Sequence, residues 1–122
     1  MSPRTKQNLN TAMQTEAFTH AEYLRFAAHA RRNEYWDLAK LFQVAADVDR
    51  TEHFTKEAEL AGLVRDDADN LRHALEEKRA EAAMYQQFAK EATADGDFAA
   101  AALFEKMQTA AADQTEGFEA AL

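Results

Sequence analysis

Glu16, Asp49, Glu52 and His53 are the side chains of this 122-residue chain whose types and spacing could do chemistry. Carboxylates and an imidazole together form a donor set that iron and manganese accept, and a bundle of helices can hold such ligands on facing sides. Glu16 and His20 fall on a seven-residue stripe that otherwise reads Leu9, Met13, Tyr23, Ala27 and Ala30. Asp49 and Glu52 fall on a second stripe with Leu38, Phe42 and Ala45, and His53 lies beside it, four residues after Asp49. Such stripes normally face a core. Carboxylates placed there need protons, cations or a metal, because burying an unpaired charge is strongly disfavoured. A lone carboxylate here reads better as a solvated group on a narrow bundle; Glu16, Asp49, Glu52 and His53 taken together read equally well as metal ligands and as solvated groups. The pairs Glu16/His20, Asp49/His53 and His73/Glu77 also fit ordinary ion pairs along a helix.

The elements that must position these residues are long helices. Ala, Glu, Lys, Leu and Gln dominate, all good helix formers, and the chain has one Pro and three Gly. Periodicity breaks at Arg32-Asn33-Glu34, where Asn33 suits a left-handed cap, then at Gly62 with Asp66 or Asp67 as the next N-cap, and at Asp95-Gly96-Asp97. Four helices are expected near 5–32, 35–61, 67–94 and 97–121, each roughly 40 Å long. Short connections imply antiparallel neighbours. The fold expected is all-α: an antiparallel four-helix bundle in a single domain over 1–122, built of hairpin one (5–61) and hairpin two (67–121).

The two hairpins repeat one another. Residues 8–60 moved by 62 positions align without a gap on 70–122, matching Asn8 with Asn70, Tyr23 with Tyr85, Phe26 with Phe88, Phe42 with Phe104 and Glu57 with Glu119. The repeat places Lys78 opposite Glu16, Ala111 opposite Asp49, Gln114 opposite Glu52 and Thr115 opposite His53. The first hairpin keeps a polar set that the second lacks. Tyr23 and Tyr85 read first as packing residues, with a supporting role beside the ligands as the alternative.

Charge and composition narrow the function classes. The formal net charge is −8, so phosphate backbones and anionic lipid surfaces are poor partners. Cysteine is absent, which excludes iron–sulfur clusters, disulfides and thiol catalysis. No run of about 18 apolar residues occurs, and Met1–Asn10 has no apolar segment of signal-peptide type. A cytoplasmic location is expected.

The pattern Asn8-Leu9, Ala12, Glu16, Tyr23-x-x-Phe26-Ala27, Leu41-Phe42 and Asp49-x-x-Glu52-His53 resembles the rubrerythrin-type branch of the ferritin-like superfamily, over nearly the whole chain. The resemblance implies one or two ions of iron, or manganese, between four helices, no haem, and reduction of peroxide or dioxygen. It implies metal ligands at Glu16, Asp49, Glu52, His53 and Glu77; Tyr23, Tyr85 and His20 are candidate supporting groups by their places on the stripes. It also implies an external electron donor, since no cysteine-bound iron domain is present. The chain departs from the family at Ala80, Ala111 and Gln114, where further ligands would stand. The alternative expectation is a degenerate, metal-free bundle that acts through homo-oligomerisation, a homodimer first of all.

Overall fold

The computed structural model describes residues 1–122 and is all-helical. Helix α1 spans Pro3–Arg32, α2 Trp36–Val48, a wide π-helical turn Asp49–Phe54, α3 Thr55–Ala61, α4 Asp67–Ala94 and α5 Phe98–Ala121. The segments α2, wide turn and α3 follow one another without a break, so the expected four helical stretches are all present. No helix is long and apolar enough to cross a membrane.

Local chemistry sets the ends. Ser2 caps α1 by accepting the Thr5 N–H at 3.1 Å, with Pro3 in the first turn, where its missing N–H costs nothing. Asp66 caps α4 by accepting the Asp69 N–H at 2.8 Å. Three helices stop in the same way, with the two amides past the end folding back on the last carbonyls. The Glu34 and Tyr35 amides donate to Arg31 and Ala30, those of Gly62 and Leu63 to Glu59 and Ala58, and those of Gly96 and Asp97 to Thr93 and Ala92. This closure needs one residue at positive φ. Gly62 and Gly96 supply it at two of the stops. At the first stop it is Glu34, at φ 61°, and not Asn33, which sits at φ −91°. At all three stops the left-handed residue is the one whose amide closes on the carbonyl three residues before it.

The chain divides into two compact units, Met1–Val64 and Arg65–Leu122. In the first, Glu16 on α1 meets Asp49, Tyr23 meets Phe42, and the Ala30 carbonyl meets Tyr35. These contacts advance along one helix as they retreat along the other. In the second, Tyr85 stacks on Phe104 and Arg79 reaches Glu119. The seam inside each hairpin is made of small side chains: Ala27, Ala30, Ala39 and Ala46 beside Met13 in one, Ala89, Ala92, Ala101 and Ala111 beside Leu75 in the other. Alanine lets the backbones approach, but it buries little area, about 25 cal/mol per Å² being the usual return. The larger apolar groups stand at the edge of the seam. Tyr23, Phe26 and Phe42 form one aromatic trio, with centroids 5.3–6.1 Å apart. Tyr85, Phe88 and Phe104 form its counterpart, at 5.6–6.4 Å. The internal repeat of the sequence is therefore also a repeat of packing.

Candidate metal centre

Glu16, Asp49 and His53 converge in the first hairpin, each offering one ligand atom within 4.8 Å of the others. The His53 Nδ1 atom lies 3.4 Å from a Glu16 oxygen and 3.3 Å from an Asp49 oxygen. A charge-assisted N–H···O⁻ bond is normally near 2.8 Å, so these contacts are long for direct bonds. They suit donors around one ion, since ligands about 2.1 Å from a shared centre stand about 3 Å apart when at right angles. Asp49 is the most buried of the three, at 14% side-chain exposure, and its Oδ2 atom is buried with no hydrogen-bond partner.

The wide turn explains which residues meet. In a helical turn that closes on the fifth residue, side chains four apart stand nearly in line and those three apart splay. Asp49 and His53 are four apart and share a side. Glu52, three from Asp49, points instead to Lys56, whose ammonium lies 2.9 Å from its carboxylate. Lys56 holds the Glu52 carboxyl below its ordinary range, by hydrogen bond first and then by charge, and Glu52 raises Lys56 in return. A carboxyl lowered in this way stabilises the fold above the ordinary carboxylate range, and that contribution is lost as pH falls through the lowered value. The pair is fully exposed, so the contribution is small.

The remaining expected residues take other places. Glu77 lies on α4 beside His73, 3.4 Å away, with both side chains well exposed. Tyr85 belongs to the aromatic trio of the second hairpin. Tyr23 belongs to that of the first, two helical turns along α1 from Glu16, about 10 Å by helix rise. His20, one turn from Glu16, brings its Nδ1 atom to the Ala46 carbonyl at 2.7 Å.

Glu57 was not among the expected residues. Its Oε1 atom is buried without a partner, one turn past His53. The repeat held a signal for it. The matching Glu119 is bound by Arg79 at 2.6 Å, while the position matching Arg79 in the first hairpin is Ala17. Likewise Lys78 stands where Glu16 does, bound to Glu81 at 2.8 Å. The second hairpin thus pairs Glu81 and Glu119 with cations of its own. In the first, Glu16 and Asp49 face the one imidazole of His53, and the Glu57 Oε1 atom has no partner.

Comparison of the chain with family models, curated proteins and solved structures gave no match.

Proposed function

We propose that this chain is a rubrerythrin-like, ferritin-family metal-binding protein whose first hairpin holds one ion of iron or manganese through Glu16, Asp49 and His53. The observation that carries this reading is the convergence of those three donors, at spacings long for direct hydrogen bonds and with a buried Asp49 oxygen lacking any partner. A cation would supply the missing positive charge, which buried carboxylates require. Two carboxylates and one imidazole leave coordination positions open on an octahedral ion. When bound, such an ion would provide redox chemistry on peroxide or dioxygen, with electrons from an external donor because the chain has no cysteine. Glu16 and Asp49 would fix the ion's charge and place, and His53 would orient it through Nδ1. The reading includes an antiparallel, ferritin-like bundle in a cytoplasmic setting.

Elemental analysis of protein purified without chelator and then supplied with iron or manganese tests the proposal. A full equivalent of metal in the parent chain and none in Glu16→Ala is expected. Metal at only trace level in the parent chain would sink it.

A second reading has its own observation. Leu41, Val44 and Val48 form an apolar stripe on α2, exposed at 66%, 51% and 38%. Exposed contiguous apolar surface marks interaction sites, and the stripe favours a chain that acts by homo-oligomerisation, with or without metal.

A further inference from the structure

We propose that His20 is the positioning residue of this centre: its ring N–H holds the Ala46 carbonyl and so keeps open the wide turn that delivers Asp49 and His53 to Glu16. Its consequence for metal affinity rests on the metal-binding reading above; its consequence for the geometry does not.

A carbonyl oxygen only accepts, so at 2.7 Å the Nδ1 atom of His20 must carry the proton. The contact is half-buried and joins α1 to α2 across the hairpin. Ala46 lies in the last turn of α2, three residues before the wide turn, where the helix changes from closing on the fourth residue to closing on the fifth. Carbonyls at such a junction run short of amide donors, and an unpaired buried carbonyl is costly. The Asp49 amide is shared there between the Ala45 and Ala46 carbonyls. Side chains make up the deficit: His20 donates to Ala46, Thr51 to Asp47 at 2.8 Å and Thr55 to Arg50 at 2.8 Å. The two threonines bond back along their own helix, as Thr93 and Thr115 do in regular helices of this chain. His20 is the donor that comes from the opposite helix, and it stands one turn from Glu16. It therefore couples the wide turn to the helix that carries the third ligand.

The repeat provides an internal control. In the second hairpin Ala82 replaces His20, α5 runs as a regular helix through Ala111, Gln114 and Thr115, and the ligand residues are absent. The cross-helix histidine, the wide turn and the three ligands occur together in one hairpin and are missing together from the other.

The test uses the full chain and three variants. Asparagine carries its amide nitrogen where histidine carries Nδ1, so His20→Asn keeps the donor in place. His20→Gln moves the donor outward, and His20→Ala removes it. Two readouts are taken: the nuclear Overhauser contact between the His53 ring and the Glu16 side chain in metal-free protein, and cobalt(II) affinity by competition with a chelator. His20→Ala should remain helical, lose the His53–Glu16 contact and lose about 10- to 100-fold in affinity, the usual cost of removing a group that orients a ligand. His20→Asn should keep the contact and most of the affinity. A plain helix-to-helix staple would not distinguish these readouts from stability. The proposal is overturned if His20→Ala keeps both contact and affinity, or if His20→Asn loses both as fully as His20→Ala. Should His20→Ala unfold, Asn must exceed Gln in both readouts, and parity overturns the proposal. Failure of the parent chain to bind cobalt would instead remove the metal reading, and the contact in metal-free protein still decides the role of His20.

Discussion

Asp49 carries opposite consequences for stability and for binding. Its Oδ2 atom is buried and unpartnered, a condition that typically costs about 1–3 kcal/mol. Native chains keep such groups where they serve a ligand. Asp49→Leu should therefore stabilise the metal-free protein by about 1 kcal/mol or more, read as a higher urea midpoint, and abolish metal binding. A variant that loses stability as well would show that Asp49 serves packing. Glu52 separates the geometry from the residue pattern. Its carboxylate is engaged by Lys56, so Glu52→Gln should leave metal affinity within about twofold, since exposed pairs of this kind contribute little, whereas Glu16→Gln should reduce it at least about tenfold. Equal losses in the two would place Glu52 among the ligands. In the parent protein affinity should also fall with falling pH, because each donor must be deprotonated to bind.

Among the elements, the first helix stop is the strained one. Glu34 holds φ 61° where the repeat has Gly96 at φ 77°. A side-chain-bearing residue in the left-handed region costs roughly 1–2 kcal/mol, while Gly bears no such penalty and loses some entropy. Glu34→Gly should stabilise the chain by about 1 kcal/mol and raise its thermal midpoint by a few degrees. Unchanged or lowered stability would mean that Glu34 makes a compensating contact in the turn. Helix ends of this kind were legible in the sequence, because breakers and caps act locally: expected limits near 35, 61, 67 and 94 fall within a residue of Trp36, Ala61, Asp67 and Ala94. The left-handed residue was misplaced by one, on Asn33, because composition favours Asn whereas hydrogen-bond geometry fixes the position. The wide turn was not legible at all. The two repeats align without a gap across it, so no inserted residue betrays it, and a regular helix drawn through 49–54 turns Glu52 inward with Asp49. What could be read was the conflict itself: carboxylates on a stripe that asked for apolar residues.

The whole molecule distributes its charge unequally. Met1–Val64 has nine acidic and eight basic residues, against thirteen and six in Arg65–Leu122. Nearly all of the net charge of −8 thus belongs to the second unit. Like charge opposes contact between copies of that unit, and the first carries almost none to oppose it. The apolar surface follows the same division. On α2 the stripe Leu41, Val44, Val48 is unbroken, whereas the equivalent line on α5 reads Leu103, Lys106, Ala110, with a lysine at its centre. Self-association should therefore run through α2 of the first hairpin. It should strengthen or hold steady with added salt, since it rests on apolar burial and salt screens the residual repulsion. Sedimentation equilibrium across a range of concentrations should give a mass above that of the monomer for the parent chain. Val44→Lys, which copies the repeat's own residue, should return it to the monomer without loss of helix. A parent chain that stays monomeric at every concentration removes the association reading. A Val44→Lys chain that associates as strongly as its parent moves the contact to another face.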